Sequence, residues 1–297
     1  MRNSERLILQ TTGDGSLTFF SEQFEEAFHS QYGARQEAEG KFVLPTLLTN
    51  LAIAIANPDS EPASPRLSIL DICYGLGYNS AAALEAIWAV NPNCQVQLIG
   101  LENDPAVPTA AIAHGCLQDW SEPVRQTTNA LATTGEFKSD RLLAQLWLGD
   151  ARQTIQQVAE QKFQADAIFL DPFSPPRCPQ LWTVEFLSWV SRCLAPTGRL
   201  ATYSCSAAVR VALQQAGLAI GSTVPVGRRS PGTVASFSSV NLPPLSEQEQ
   251  EHLQTRAAIP YRDPDLHATA NEILQSRQQE QQGCQLESTS RWKQRWL

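Results

Sequence analysis

The chain has 297 residues, 42% of them hydrophobic and 18% charged, which is enough apolar material for one large or two modest domains and rules out disorder throughout. A formal charge of −8 and a pI near 5.1 exclude a non-specific nucleic-acid coat, since that mode needs many Lys and Arg to displace counterions; a nucleic-acid substrate held by a local basic patch stays open. Seven scattered cysteines without C-x-x-C spacing, and four histidines apart from them, argue against a zinc site or a disulfide framework and for reduced thiols in the cytoplasm. The start of the chain lacks the apolar stretch of a signal peptide, and the longest apolar run, 51–56, is too short to span a bilayer, so no membrane partner is expected.

In chain order, Asp14-Gly15 between Leu7–Leu9 and Leu17–Phe20 predicts a hairpin. Ser21 then reads as the N-cap of a helix that carries Phe24 and Phe28 on one face. Residues 1–60 are expected to form an extension packed on the core, closed by a Pro-rich connector at 57–66. From 61 to 245, apolar strands predicted at 67–70, 96–101, 146–148, 167–170, 199–203 and 218–220 alternate with helices at 79–90, 151–161, 183–194 and 207–215. That alternation implies an α/β, Rossmann-like fold with a mostly parallel sheet covered by helices on both faces. A closing strand pair is expected at 222–226 and 233–238, with a turn at 228–232. After a connector at 241–246, the segment 246–297 reads as a C-terminal extension, partly helical or flexible, with eight acids against six bases.

The chemistry gathers at strand ends. In Asp71-Ile72-Cys73-Tyr74-Gly75-Leu76-Gly77-Tyr78-Asn79 a buried strand runs into a glycine loop that opens a helix. Asp71 suits a ligand ammonium and the helix N-terminus a carboxylate, the two groups of the amino-acid end of S-adenosylmethionine; taken alone, the loop reads equally as a tight β-to-α turn. Glu102, at the next strand end, suits a ribose diol or is a solvated loop acid. Asp150 either contacts an adenine or caps the following helix. Asp171-Pro172-Phe173-Ser174-Pro175-Pro176, with Trp182 just beyond, makes a stiff apolar wall around one carboxylate, and amine-methylating enzymes place a similar loop here.

Four stretches together resemble the tRNA 5-methylaminomethyl-2-thiouridine biosynthesis methyltransferases: Asp14-Gly15-Ser16 through His29-Ser30-x-x-Gly33-Ala34-x-x-Glu37, the loop 75–79, Leu170–Pro175 with Pro179-x-Leu181-Trp182, and Tyr203-Ser204-Cys205-Ser206-x-x-Val209-Arg210. The resemblance implies a class I S-adenosylmethionine-dependent methyltransferase, without FAD or metal, that methylates the aminomethyl nitrogen of the tRNA wobble uridine. It implies the stand-alone form, working with separate enzymes that make the aminomethyl precursor. Carried over, it puts Gly75, Gly77 and Asn79 in the cofactor loop, beside the cofactor-binding candidates Asp71 and Tyr74, with Glu102 on the ribose, Asp150 near the adenine and Asp171 at the target amine. Glu37 would close over the cofactor, and Phe173, Pro175 and Trp182 would line the substrate pocket. Cys73 replaces a family glycine, a change that costs little at negative φ. Two other functions fit the same strand ends: a polyamine aminopropyltransferase, for which the 171–176 loop is poor in acids, and a catalytically silent cofactor-binding partner. Arg228 and Arg229 are the expected tRNA phosphate contacts; Arg291, Lys293 and Arg295 with Trp292 and Trp296 either join them or dock a terminal helix.

Overall fold

A computed structural model describes residues 6–57 and 66–296; most of the Pro-rich connector, and the boundary at residue 60, lie outside the described residues. The N-terminal hairpin pairs β1 (Leu7–Thr11) with β2 (Leu17–Ser21), the turn falling at Asp14-Gly15 as predicted. The helix expected from Ser21 is absent. Ser21 Oγ accepts the Phe24 N–H at 3.1 Å, which caps a single turn. Glu25 then takes φ 50 and swings the chain into β3 (Glu26–Ala27), paired back on Phe20 and Ser21. Helix begins only at α1 (Ala34–Glu37), which passes through one π-helical turn (Ala38–Val43) into α2 (Leu44–Thr46); Leu47, at φ 59, then breaks the chain into α3 (Leu48–Ala56).

Among the described residues the central sheet has eight strands, in the spatial order 219–222, 233–236, 194–202, 165–170, 66–72, 95–102, 142–148 and 136–139. β4 (Arg66–Ile72), β5 (Gln95–Glu102), β7 (Leu142–Leu148), β8 (Ala165–Leu170) and β9 (Leu194–Thr202) run parallel. Their interiors are apolar at consecutive positions because both faces are covered; Ile69, Leu70 and Ile72 of β4 are fully buried. β6 (Glu136–Ser139) pairs antiparallel at one edge; at the other, β11 (Thr233–Ser236) pairs antiparallel with both β9 and β10 (Ala219–Ser222). The closing strand pair is therefore 219–222 with 233–236, and residues 223–226, expected as strand, belong to the connecting loop.

One face is covered by α1–α3, α4 (Tyr78–Val90), α5 (Ala106–Ala113) and α6 (Glu122–Thr134), the other by α7 (Ala151–Glu160), α8 (Val184–Arg192) and α9 (Ala207–Gln215). α5 and α6 were not anticipated: α5, Ala-Val-Pro-Thr-Ala-Ala-Ile-Ala, is apolar with little periodicity, which hides a helix, whereas α6 does carry a helical spacing in its buried Val124, Thr127, Thr128 and Leu131, with Pro123 in its first turn. Beyond the connector, α10 (Glu247–His252), α11 (Ala270–Gly283) and α12 (Thr289–Arg295) follow. They dock through buried Tyr261 and Ile273, in the core that also holds residues of α7–α9, and the Val184 N–H reaches the Tyr261 carbonyl at 3.1 Å. Among the described residues no single helix is long and apolar enough to cross a membrane.

The chain leaves β4 toward β5 and β7 on one side, then crosses back to β8 and β9 on the other. The order reverses at β4/β8, and ligands in open α/β sheets bind beyond the carboxyl ends at such a reversal.

Candidate active site

A cavity of about 1780 Å³ opens beyond the carboxyl ends of β4, β5, β7 and β8. Its floor is the loop after β4, where Cys73, Gly75 and Gly77 take φ 65, 55 and 87. Gly77 is required there, since a Cβ would lie 2.6 Å from Tyr74 Oη. Cys73 stands in left-handed backbone, contrary to the negative φ that would have made its replacement of glycine cheap. Tyr74 and Asn79 line the cavity, and each holds a buried polar atom, Tyr74 Oη and Asn79 Oδ1, without a hydrogen-bond partner. Such atoms fit a polar ligand that the loop encloses.

At the tip of β5, Glu102 accepts the Gly75 N–H at 2.8 Å through one oxygen and the Asn103 and Asp104 N–H groups at 2.8 and 2.9 Å through the other. Burial raises its pKa against the pull of those donors. The carboxylate is thereby fixed facing the cavity with lone pairs to spare, as a ribose diol requires. Asp150 caps α7 by accepting the Arg152 N–H at 2.9 Å and is also gripped by the Arg152 guanidinium at 2.7 Å. It lines the cavity as well, so the capping and ligand-facing readings coexist.

At the reversal point, Asn79 Nδ2 donates to Asp171 Oδ2 at 2.9 Å. Burial pushes the Asp171 carboxyl up to about 7; the Asn79 hydrogen bond pulls down, Glu37 adds to the rise, and Lys41 and Arg228 oppose it. Next to it an aromatic wall forms: Phe173 stacks on Phe24 at 4.3 Å and meets Phe28 edge-on at 4.9 Å. Glu26 ties this N-terminal segment to the Asp171 loop by accepting the Ser174 N–H and hydroxyl at 3.1 and 2.7 Å. Arg228 lies over the Tyr203 ring, 5.1 Å from its centroid, where the loop 223–232 meets the cavity.

The lining also includes Glu37 and Lys41, 6% and 5% exposed, joined at 2.5 Å. Burial pulls the Glu37 pKa up, but Lys41 and the Ser30 and Lys41 hydrogen bonds overcome it and hold the carboxylate ionised. His29 also lines the cavity; its Nδ1 shares a hydrogen bond with Thr18 Oγ1 at 3.0 Å, and burial lowers its pKa to about 4.

Nine of the residues expected at the site face this cavity: Glu37, Tyr74, Gly75, Asn79, Glu102, Asp150, Asp171, Phe173 and Arg228. Five do not. Asp71 is fully buried outside the lining, accepts the Ser80 hydroxyl at 2.6 Å on one oxygen while the other has no hydrogen-bond partner, and is kept protonated by burial up to about 8, so it is neither exposed to the cavity nor charged for a ligand ammonium. Gly77 lies outside the lining and leaves room for the Tyr74 ring. Trp182 is fully buried, its Nε1 donating to the Phe173 carbonyl at 2.9 Å, so it braces the wall from behind. Pro175 is buried and Arg229 exposed, both outside the lining. Among the tail residues, Trp292 stacks on His252 at 4.2 Å, Arg295 pairs with Glu251 and Glu287, and Arg291 pairs with Glu287. The docking reading holds for this helix, and none of these side chains lines the cavity. Lys41, Phe24, Phe28, Glu26 and Tyr203 were missed as site residues. For Lys41 the signal was its i,i+4 spacing from Glu37 inside a largely apolar segment; Phe24 and Phe28 had been assigned to a helix face.

Residues 108–238 match the family model of S-adenosyl-L-methionine-dependent methyltransferases. The chain is 31% identical over 284 residues to the uncharacterized protein MJ0670 of Methanocaldococcus jannaschii, covering 93% of this chain and 72% of that one. It is 27% identical over 240 residues to the tRNA 5-methylaminomethyl-2-thiouridine biosynthesis bifunctional protein MnmC of Polaromonas naphthalenivorans; that alignment covers 77% of this chain and 34% of MnmC, so the chain spans about a third of that relative's length. Among solved structures, MnmC2 from Aquifex aeolicus superposes with a TM-score of 0.80 at 33% identity, over 95% of this chain and 87% of that one.

Proposed function

We propose, from the premise that this chain belongs to the S-adenosyl-L-methionine-dependent methyltransferase family represented by Aquifex aeolicus MnmC2, that it methylates the amine of 5-aminomethyl-(2-thio)uridine at the tRNA wobble position. The observation that carries this reading is Asp171, held by Asn79 at 2.9 Å at the sheet's reversal point and walled by Phe173, Phe24 and Phe28. S-adenosylmethionine supplies an electrophilic methyl group when bound. An alkylamine with a pKa about that of Lys, roughly 10.4, is mostly protonated and non-nucleophilic at pH 7. Asp171, poised near neutrality, accepts the amine N–H and takes up its proton, while the aromatic wall excludes water and disfavours the charged amine. Glu102 would take the ribose hydroxyls, Gly75 would let the backbone approach, and Asp150 would face the adenine.

The test is nucleoside mass spectrometry of tRNA from a deletion strain, with aminomethyluridine expected to accumulate as methylaminomethyluridine disappears; an unchanged profile sinks the proposal. In vitro, Asp171→Asn is expected to cut turnover by about 10²–10⁴-fold while S-adenosylhomocysteine still binds. Aminopropyl transfer to putrescine from the decarboxylated cofactor would instead favour a polyamine synthase. Arg228→Ala with Arg229→Ala is expected to weaken tRNA binding and flatten its salt dependence by about two phosphate contacts, with cofactor affinity unchanged. An unaltered salt slope would move the phosphate surface elsewhere.

A further inference from the structure

Lys41 is an unexpected residue for a cavity built to hold cations. A sulfonium, an α-ammonium and an alkylamine all carry positive charge, yet the cavity lining that holds the acids of the strand tips also holds a lysine only 5% exposed. Its ammonium has three donors, and Glu37 takes one of them at 2.5 Å. Glu37 in turn receives the Ser30 hydroxyl at 2.6 Å and Lys41 on one oxygen, and the Ser30 N–H at 3.2 Å on the other, which leaves that second oxygen with acceptor capacity. Both side chains line the cavity, and both act electrostatically on Asp171. The pair sits on rigid backbone: Lys41 lies in the π-helical turn, and the neighbouring Gly40 is so close to the 223–232 loop that a Cβ there would fall 2.7 Å from Val226. Asp71, the acid expected to hold an ammonium, is buried outside the lining on Ser80.

We propose that Glu37 and Lys41 form a cradle of opposite charges for the amino-acid end of S-adenosylmethionine, Lys41 binding the α-carboxylate and Glu37 the α-ammonium. This rests on the methyltransferase reading above and assigns Lys41 a ligand. The α-carboxylate is the one anion the cofactor offers, and a partly unsatisfied buried ammonium is its complement; the adjacent carboxylate matches the ammonium one carbon away.

Calorimetric titration with two ligands separates this from a structural role. S-adenosylhomocysteine carries the amino-acid end; methylthioadenosine keeps the adenosine and thioether but lacks it. Lys41→Met is expected to weaken S-adenosylhomocysteine by about 10–100-fold and methylthioadenosine by no more than about twofold. Because that variant leaves Glu37 buried without its partner, Lys41→Met combined with Glu37→Gln removes the pair without stranding a charge, and the same ligand-selective loss is expected in it with its thermal unfolding still cooperative. Equal losses for both ligands, or none for either, in the folded double variant overturn the cradle while leaving the methyltransferase reading intact. Failure of the unaltered protein to bind S-adenosylhomocysteine at all overturns both.

Discussion

At Cys73 the backbone sits at φ 65, where an L side chain crowds the following carbonyl at a cost of about 1–2 kcal/mol. In ordinary helix or strand interiors Ala is more stable than Gly by about 0.5–1 kcal/mol. Here the order should reverse. Cys73→Gly is expected to unfold at a higher denaturant midpoint than Cys73→Ala, by about 1 kcal/mol; the opposite order would mean that the loop relaxes around an L residue. Glu102, Asp150 and Asp171 were readable as site residues because each stands at, or within two residues of, the end of an apolar strand, where the strand fixes the direction of the chain. Lys41 was not, because its placement depends on a helical turn folding against a loop nearly two hundred residues later in the chain, around Val226.

The same contrast holds for whole elements. The Asp14-Gly15 hairpin is local, and its register follows from the turn. The segment after Ser21 carries helix-compatible residues, but pairing of Glu26 and Ala27 with β2, and the contacts of Phe24 and Phe28 with Phe173, outweigh one helix propensity. The C-terminal elements α10–α12 depend on docking in a similar way. Asp263, 1% exposed, accepts Arg152 Nη1 at 3.0 Å and the N–H groups of His267 and Ala268 at 3.1 Å. Arg152 also grips Asp150 at 2.7 Å, so one guanidinium joins the C-terminal segment to the edge of the cavity. Removing one partner of a buried pair costs about 3–5 kcal/mol. Asp263→Ala is therefore expected to lower Tm by about 6 °C or more and to expose the segment after 246 to limited proteolysis. An unchanged Tm and digestion pattern would place the docking energy on Tyr261, Ile273 and Trp292 instead.

For the molecule as a whole, the buried acids set how stability responds to pH. Asp71 is held up to about 8, first by burial and then by the charges of Asp171 and Glu102, against the Ser80 hydrogen bond. A carboxyl whose folded pKa lies above its unfolded value keeps a proton that the unfolded chain releases. Its contribution is full below about pH 4 and disappears as pH climbs through 8. Asp171, pushed up to about 7, acts in the same direction, its contribution disappearing as pH climbs through 7. The ligand-free protein is expected to lose thermal stability between about pH 5 and pH 8, less steeply below about pH 6.5, where buried His29, held down to about 4, opposes the acids. Asp71→Asn, which keeps a polar group beside Ser80 but cannot ionise, should flatten that decline and exceed the original at pH 9 by at least about 1 kcal/mol, or about 2–4 °C. Parallel stability curves for the two proteins would show that Asp71 does not titrate in this range.

The parallel core, the glycine loop and the acids at successive strand ends were set by sequence alone, because each depends on residues adjacent in the chain: an apolar run buried on both faces, a turn that tolerates positive φ, and a carboxylate at, or within two residues of, the strand's end. What the tertiary structure decided is which polar groups face the cavity and which lie behind it. Asp71 and Asp171 both stand at or just past the end of an apolar strand, yet one is sealed on Ser80 and the other opens on Asn79 and the aromatic wall. Arg228 and Arg229 are neighbours, and one reaches Tyr203 beside the cavity while the other stays outside the lining. Burial is a property of everything that packs around a residue, including segments far away in the chain, so no local pattern separates such pairs until the chain has closed on itself.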